Sequence, residues 1–207
     1  IRLTNFTSLI NATNNYINDV GFSTILNTRD SYLYNTSCGV IINGDYAGIS
    51  SSVHSTIVGA TKSYIRDYSY HSAILGGKNN KIYNNSKYST VIGGYYNTLQ
   101  DSYQSSIIGG QNNFLSVNSF NSSIIGGFEN IIFNSAYSSV FGGIGNMICD
   151  VGSKGRSSII GGKDNRLCNY SYHSSIIGGE GNKLQNLSQH SSIVGGSGNI
   201  LSANSCT

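Results

Sequence analysis

The 207-residue sequence contains no proline and no tryptophan, and only 10% of its residues are charged. It also lacks an apolar run of about 18 residues, the length that a membrane-spanning helix requires, so we expect no membrane insertion by this segment. The net charge is only +3 and no Lys/Arg cluster occurs, which argues against a nucleic-acid partner. Because the sequence opens on Ile1 without a signal-like segment, we expect it to be a fragment or a processed chain.

Motifs of common enzymes are also missing. We find no nucleophile elbow, phosphate-binding loop or cluster of metal ligands, and Glu129 and Glu180 are the only glutamates. Glycan hydrolysis would require paired carboxylates, for which Asp67, Asp101 and Asp164 are the candidates, in a site between chains. We therefore predict a protein that is not an enzyme and binds no cofactor, with a glycan depolymerase as the least favoured alternative.

Serine, asparagine and glycine are abundant instead, because one motif recurs along nearly the whole chain. The segment Ser105–Gly110, Ser-Ser-Ile-Ile-Gly-Gly, returns in full at residues 122–127 and 174–179. We call the residue after the aliphatic pair the anchor of a turn. Successive anchors lie 16 or 17 residues apart, with one step of 19. The anchors are Asn11, Asn27, Asn43, Gly59, Gly76, Gly93, Gly109, Gly126, Gly142, Gly161, Gly178 and Gly195.

Three aliphatic columns emerge when the turns are aligned on their anchors, and no turn breaks them. The first aliphatic column, two residues before the anchor, contains Leu9, Ile25, Ile41, Ile57, Ile74, Val91, Ile107, Ile124, Val140, Ile159, Ile176 and Ile193. The second aliphatic column, one before the anchor, contains Ile10, Leu26, Ile42, Val58, Leu75, Ile92, Ile108, Ile125, Phe141, Ile160, Ile177 and Val194. The third aliphatic column, six after the anchor, contains Ile17, Leu33, Ile49, Ile65, Ile82, Leu99, Leu115, Ile132, Ile148, Leu167, Leu184 and Leu201.

Short β-branched runs bounded by glycine and asparagine are typical of β-strands, and this period is too short for helical repeats or propeller blades. The sequence therefore predicts an all-β parallel β-solenoid of about twelve turns, as a single domain over residues 1–207. Residues 1–58 form degenerate turns and residues 59–207 regular ones, with a surface loop at the insertion 150–155. The asparagine four after the anchor is expected to hydrogen-bond along its column.

Adjacent residues of a strand point to opposite faces, so the first and second aliphatic columns cannot both line the interior. Alternation with the asparagine favours the first as internal. The second column then forms an outward stripe about 60 Å long, at roughly 4.8 Å per turn, which is large for an exposed apolar surface. We predict that the second column, from Ile10 to Val194, is the interface of a homotrimer. A second core layer in a flat solenoid is the alternative.

The Ser-x-Ile-Ile-Gly-Gly…Asn-x-Ile pattern resembles the left-handed β-roll repeats of trimeric autotransporter adhesin heads (YadA-like) and related repeats in fibre proteins of phages and large viruses. The resemblance covers about residues 50–205 well and residues 1–49 loosely, although the turns here are longer than the adhesin repeat. It implies a trimer in which one apolar column faces the threefold axis. It also implies an extracellular adhesive or structural rod, on a cell or virion surface, whose corners bind a host receptor or a surface glycan.

A monomeric ice-binding solenoid is the main alternative function. Rows such as Ser106 with Ile108 and Ser123 with Ile125 would present a flat, regular face to ice. The outward stripe would then contact water rather than another copy of the chain. Thermal hysteresis by a monomer would favour this alternative.

All four histidines, His54, His71, His173 and His190, fall five residues before an anchor and form two pairs on successive turns. We expect exposed corner positions for them, with a metal shared by stacked imidazoles as the alternative. The cysteines suggest a further contact, because Cys149 and Cys168 occupy the same position on adjacent turns. Neighbouring strands place such residues within disulfide range. Cys38 and Cys206 lie at opposite ends and cannot pair within one straight solenoid.

Asn-x-Ser/Thr triplets are frequent, and they become glycosylation acceptors only if the host glycosylates secreted proteins. They begin at Asn5, Asn11, Asn35, Asn84, Asn121, Asn169 and Asn186. Aromatic residues are also frequent at positions expected to be exposed, where they either contact proteins or sugars or simply suit strands. These residues are Tyr16, Tyr32, Tyr64, Tyr70, Tyr103, Phe114, Phe120 and Tyr172.

Overall fold

The computed structural model describes residues 8–152 and 155–202, and for residues 150–152 it describes the backbone alone. The described residues form strands, turns and bridges without any helix. Two 12-stranded parallel sheets contain all the named strands, and each strand pairs with the equivalent strands of the previous and next turns. The predicted all-β parallel β-solenoid is therefore confirmed.

The first sheet contains the last three residues of each Ser-Ser-Ile-Ile segment. Its register aligns equivalent positions on successive turns, as in the pairing of Ile107 with Ile124 and of Ile108 with Ile125. The strands are β1 Ser8–Ile10, β3 Thr24–Leu26, β5 Val40–Ile42, β7 Thr56–Val58, β9 Ala73–Leu75, β11 Thr90–Ile92, β13 Ser106–Ile108, β15 Ser123–Ile125, β17 Ser139–Phe141, β19 Ser158–Ile160, β21 Ser175–Ile177 and β23 Ser192–Val194.

The second sheet contains the strand that follows the asparagine of each turn. Leu115 pairs with Ile132 and Leu99 with Leu115, so the third aliphatic column is also stacked in register. The strands are β2 Tyr16–Gly21, β4 Tyr32–Ser37, β6 Gly48–Ser50, β8 Tyr64–Ile65, β10 Lys81–Tyr83, β12 Thr98–Gln100, β14 Phe114–Ser116, β16 Ile131–Ser135, β18 Met147–Gly152, β20 Arg166–Cys168, β22 Lys183–Gln185 and β24 Ile200–Ser202.

The first and third aliphatic columns meet between the two sheets and form one continuous apolar core. Ile107, Leu115, Ile124 and Ile132 are fully buried, as are their counterparts in most other turns. Burial of each such side chain contributes roughly 1.5–3 kcal/mol before the cost of ordering the chain. Because side chains alternate in direction along each three-residue strand, the first aliphatic column lies inside and the second lies outside, as the sequence pattern favoured.

Serine and asparagine line the rest of the interior, where the regular turns repeat the same hydrogen bonds. The hydroxyl of Ser72 donates to the carbonyl of Ser86 (2.7 Å) and accepts the backbone N–H of Ser89 (3.2 Å). The amide oxygen of Asn113 accepts the backbone N–H of Asn130 (3.0 Å), while its amide nitrogen donates to the carbonyl of Gly127 (3.3 Å). The asparagine ladder therefore runs from side chain to backbone. Because buried polar groups require partners, these ladders make a polar interior stable.

Left-handed backbone conformations turn the chain at fixed positions of each repeat. In the regular turns the anchor and the next glycine both have positive φ, for example +68° at Gly109 and +75° at Gly110. A Cβ atom at Gly109 would meet nothing, whereas one at Gly110 would lie 2.4 Å from Nδ2 of Asn113. The second glycine is therefore required both by its left-handed backbone and by the space that Asn113 and the Gly127 carbonyl occupy. Ala60, which lies with Ser63 at the equivalent positions of the fourth turn, is not among the residues with positive φ.

The difference between turns of 16 and 17 residues has a local cause. Eight residues after the anchor, both kinds of turn have a residue with positive φ, such as Asp101. The 17-residue turns add a second left-handed residue directly after it, as at Asn85 and Asn118. One extra residue therefore enlarges a single corner and leaves both strands in register.

The insertion near residue 150 is accommodated differently from the prediction of a surface loop over residues 150–155. The backbone of residues 150–152 continues β18, and Ser135 pairs with Gly152 after Phe133 has paired with Cys149. The shift in register is a β-bulge, which takes up one additional residue without ending the strand. Residues 153–154 lie outside the described ranges.

Candidate assembly and binding surfaces

The second aliphatic column forms an apolar stripe along the outer face of the first sheet. Exposure of its central members is nearly uniform, at 40% for Ile108, 39% for Ile125 and 42% for Ile177. Leu26, Ile42 and Val58 are half-buried, and the remaining members are exposed: Ile10, Leu75, Ile92, Phe141, Ile160 and Val194. The column is thus excluded from the core of its own chain, and the alternative of a second core layer is wrong.

A column of small residues flanks this stripe on the same face. It lies three residues before the anchor, where Thr90, Ser106, Ser123 and Ser139 are half-buried. The hydroxyls of Ser123 and Ser139 lie 3.2 Å apart and share a hydrogen bond. Because the flanking side chains are short, the aliphatic column stands above its surroundings and is available to a second surface.

The outer face of the second sheet carries an aromatic and cationic patch in its N-terminal half. A Cβ atom at Gly48 would lie 2.1 Å from the ring of Tyr32, so that ring lies across the glycine. The Arg66 guanidinium lies 4.7 Å from the ring centre of Tyr64 and 5.3 Å from that of Tyr83. Partial burial is the main cause that raises the pKa of Tyr32 and of Tyr83 above the ordinary value. Both phenols therefore remain neutral well above neutral pH.

The aromatic residues predicted to be exposed differ in how far they are buried. Tyr16, Tyr103 and Phe120 are exposed, while Tyr172 packs against the hydrophobic core. The other four are half-buried: Tyr32, Tyr64, Tyr70 and Phe114. Those positions flank strands or corners, so their rings cover neighbouring turns as well as facing solvent.

The histidines occupy the corner that precedes the first sheet, where the backbone has positive φ. The rings of His54 and His71 lie 4.8 Å apart, and those of His173 and His190 stack at 5.0 Å. His71 also stacks on Tyr88 at 4.9 Å, so His54, His71 and Tyr88 form one continuous run of rings. Among the described residues, no group of three or more His, Cys, Asp or Glu side chains could hold a metal ion.

A disulfide joins Cys149 of β18 to Cys168 of β20 on adjacent turns, with Cα atoms 4.6 Å apart. The pairing of the two strands aligns these residues directly, which is why they meet. Cys38 is a free, half-buried cysteine at a corner, and Cys206 lies outside the described residues. The disulfide links the two turns on either side of the insertion.

Most of the Asn-x-Ser/Thr triplets have a structural origin. Asn84, Asn169 and Asn186 lie at the left-handed corner position eight after the anchor, and the serine two residues later belongs to the buried ladder. Asn35 occupies the same corner of a 16-residue turn, where the buried ladder position is taken by Thr36 and Ser37 is exposed. Asn11 is an anchor and Asn121 lies at the histidine corner, both with positive φ. Asn5 lies outside the described residues. Asparagine tolerates positive φ better than most other non-glycine residues, so the fold accounts for these six asparagines independently of glycosylation, and for the serine as well in the triplets at Asn84, Asn169 and Asn186.

The three carboxylates considered for catalysis do not converge within one chain. Asp67 and Asp101 occupy the same corner position two turns apart, a separation of about 10 Å, and Asp164 lies at a different corner. Asp67 is paired with Arg66 (3.2 Å). A catalytic pair would therefore require a residue from a second chain.

Charged residues are also paired across turns at the corner after the anchor. Arg29 makes a two-point contact with Asp45 at 2.8 and 2.7 Å, which raises the pKa of Arg29 and lowers that of Asp45. The Lys163 ammonium contacts Glu180 at 3.0 Å, and this hydrogen bond raises the pKa of Lys163. All four groups are solvent-exposed, so these pairs align neighbouring turns and contribute little to stability.

One cleft was not indicated by any motif. It has a volume of about 450 Å³ and is lined by Asn85, Lys87, Asp101, Tyr103, Asn118 and Phe120. Sequence reasoning singled out the two aromatic residues and Asp101 but neither asparagine nor the lysine. The signal that could have found them is the order of turn lengths, since a 16-residue turn lies here between two 17-residue turns.

Comparisons with known proteins add little to this geometry. A scan against protein-family models matches no family, and a search of curated proteins matches none. One similar solved structure is the polySia specific acetyltransferase NeuO, with 14% sequence identity over 93% of this chain and 74% of the other, and a TM-score of 0.17. At that TM-score the likeness carries no argument. No helix long and apolar enough to cross a membrane occurs in the described part of the chain.

Proposed function

We propose that the chain is a non-enzymatic structural and adhesive module, a stiff solenoid that assembles as a homotrimer on an extracellular, cell or virion-fibre surface. The observation that carries this proposal is the second aliphatic column. Its central members are exposed to a similar degree along the first sheet and lie in register. A monomer that left this column in water would expose one continuous apolar stripe, a feature that marks interaction sites in soluble proteins.

The size of the stripe supports self-association. At about 60 Å by 10 Å it offers roughly 600 Å² a chain, and two chains that meet over it bury about 1,200 Å², the lower range of stable interfaces. Identical columns with the same spacing match one another turn by turn. A threefold arrangement buries each column against two others and agrees with the resemblance to adhesin heads and fibre proteins.

Stiffness and compartment support the same proposal. Each turn is bonded to the next through two sheets and through the serine and asparagine ladders, so that bending would break several contacts at once. The Cys149–Cys168 disulfide favours an oxidising, extracellular environment. The corners vary from turn to turn while the core columns do not, so recognition of a host receptor or surface glycan is assigned to the corners.

Light scattering at dilutions down to low micromolar concentration tests the assembly. The expected mass is three times 22.1 kDa. The double variant Ile108→Asp/Ile125→Asp places charges in the stripe and should yield monomers, because buried unpaired charges are costly. Phe133→Asp is the matched control, since Phe133 is 38% exposed on the second sheet of the same turn as Ile125, and it should leave the mass unchanged.

Ice binding is the second candidate, and the column of serine and threonine beside the aliphatic stripe favours it. The two columns form regular rows along a face of short, flat strands. A wild-type mass of 22.1 kDa would contradict the trimer. Thermal hysteresis by that monomer, abolished in the Ile108→Asp/Ile125→Asp variant, would establish ice binding in its place.

A further inference from the structure

The cleft between residues 85 and 120 owes its shape to turn length. Seventeen residues separate Gly76 from Gly93 and also Gly109 from Gly126, whereas sixteen separate Gly93 from Gly109. The two long turns carry the additional corner residues Asn85 and Asn118, and the short turn between them has no counterpart. The missing residue leaves a recess three turns wide, closed at its two ends by the asparagines.

The backbone of the short turn fixes this recess. The N–H of Asp101 donates to the carbonyl of Asn84 (3.0 Å), and the carbonyl of Asp101 accepts the N–H of Asn118 (3.1 Å). Asp101 thus lies at the floor between the two long turns. The carboxylate of Asp101 is also held in place. Tyr83 donates a hydrogen bond to the side chain of Gln100 (3.0 Å), and the amide of Gln100 contacts Oδ2 of Asp101 (3.4 Å).

The remaining wall residues are also supported by neighbours outside the cleft. The ring of Tyr103 meets that of Tyr88 edge-on, with centroids 5.4 Å apart. The Lys87 ammonium lies 5.3 Å from the centre of the Tyr70 ring. Tyr103 and Phe120 are 37% and 38% exposed, so their rings remain available. A site whose side chains are already positioned loses less entropy when a ligand binds.

From this constellation we infer that the cleft binds a neutral pyranose sugar, such as a residue of a surface glycan. The apolar face of a pyranose packs on exposed rings like Tyr103 and Phe120, and its hydroxyl groups both donate and accept. The amides of Asn85 and Asn118 supply donors and acceptors, Asp101 accepts and Lys87 donates. One positive and one negative charge balance each other, which favours a neutral ligand over an acidic one.

The volume of about 450 Å³ suits one or two sugar residues and falls within the range of small-ligand sites. Tyr103 lies three residues before the strand Ser106–Ile108 of the first sheet, so the cleft opens beside the proposed interface rather than within it. This inference deepens the proposed function by naming a ligand class for the corners, and it depends on that function only for its biological meaning.

Saturation-transfer difference NMR with neutral sugars tests the site in the wild-type chain. The probes are methyl α-D-glucopyranoside, methyl α-D-mannopyranoside, methyl β-D-galactopyranoside and N-acetyl-D-glucosamine, each at about 10 mM, because a single sugar held by this site is expected to have a Kd near 1 mM. N-acetylneuraminic acid is the acidic comparison. Transfer to at least one neutral probe is expected.

Three variants use residues that the fold already accepts at equivalent positions. Insertion of one asparagine between Asp101 and Ser102 converts the short turn to the 17-residue form and should abolish binding by filling the recess. Asp101→Ser copies Ser51, and Phe120→Ala copies Ala136, at the same positions of other turns. Both should weaken binding at least tenfold. Asp67→Ser, at the position of Asp101 but outside the cleft, is the matched control and should bind like the wild type.

Far-UV circular dichroism and mass identify any variant that fails to fold. The inference is overturned if no neutral probe receives saturation, if transfer survives the insertion in a folded protein, or if only N-acetylneuraminic acid binds. These outcomes are independent of assembly. A trimer without sugar binding contradicts the cleft alone, and a monomer that binds sugar contradicts the trimer alone.

Discussion

Replacing each glycine of one Gly-Gly pair by alanine should have very different effects. Gly109 and Gly110 both have positive φ, so alanine at either position incurs the left-handed penalty of about 1–2 kcal/mol. At Gly109 nothing else opposes the new methyl group. At Gly110 it would lie 2.4 Å from Asn113 Nδ2 and 2.5 Å from the Gly127 carbonyl oxygen. The asparagine must then move and lose its hydrogen bonds, which brings the expected loss to about 4 kcal/mol.

The asparagine and the second glycine should therefore be energetically coupled. Asn113→Ser alone removes the donor to Gly127 but keeps an acceptor for the next turn, as Ser63 does for the N–H of Asn80 (3.1 Å); we expect a loss of about 2 kcal/mol. The double variant Gly110→Ala/Asn113→Ser has the residue types of Ala60 and Ser63 and removes the contact with the asparagine, while alanine at position 110 keeps the left-handed backbone and the close approach to the Gly127 carbonyl. It should be less destabilised than the sum of the single variants, by a coupling energy of about 2 kcal/mol.

Urea unfolding at one fixed protein concentration measures these four free energies. Hydrogen exchange at the backbone amide of Asn130, which donates to the Asn113 side chain, reports the local effect in a repeat protein that need not unfold in one step. Equal destabilisation by Gly109→Ala and Gly110→Ala would refute the steric reasoning. A strictly additive double variant would refute the coupling.

Two further predictions concern the disulfide and the half-buried Tyr32. Cys149→Ser/Cys168→Ser should lower the free energy of unfolding by about 3 kcal/mol, the value for closing a loop of this length, and should increase hydrogen exchange in residues 149–168; unchanged exchange there would contradict the proposed linking role. The pKa of Tyr32 is raised, chiefly by burial. Its neutral form therefore stabilises the fold below the unfolded pKa of about 10. This contribution to stability declines as pH rises past that value. Urea midpoints measured from pH 8 to 11.5 should therefore fall more steeply in the wild type than in Tyr32→Phe, and parallel curves would exclude the tyrosine as a cause.

The architecture could be predicted from the sequence because its main determinants repeat. A column such as that of Ile107 and Ile124 is visible as an aliphatic residue that recurs once in every turn. The alternation of side chains along a strand then indicates which column faces the interior and which faces solvent. The position of the disulfide follows from the same alignment, since Cys149 and Cys168 share a place in the repeat. The expected hydrogen bonding of the asparagines along their column is also present, mainly from a side chain to the backbone of the next asparagine and to the glycine carbonyls of the next turn. Asn199 also donates to the side chain of Asn182.

The cleft and the bulge could not be predicted in the same way, because both arise from departures from the repeat. One residue missing after Asp101 gives a recess, whereas the additional residues after Cys149 are partly absorbed into a strand. Both are single changes of turn length, and the sequence alone does not say whether such a change alters a corner or a strand. The outcome depends on which backbone hydrogen bonds can be kept.

The geometry of the core repeats from turn to turn while the corners vary, so different turns of this solenoid can present different surfaces. Every turn keeps its apolar columns, and the regular turns also keep the ladder residues that bond each turn to its neighbours. A corner residue such as Asn118 carries no such constraint, and adding or removing one changes the local surface without moving a strand. Turn length is therefore the variable through which such a chain alters recognition while the second aliphatic column, and with it the proposed assembly, stays unchanged.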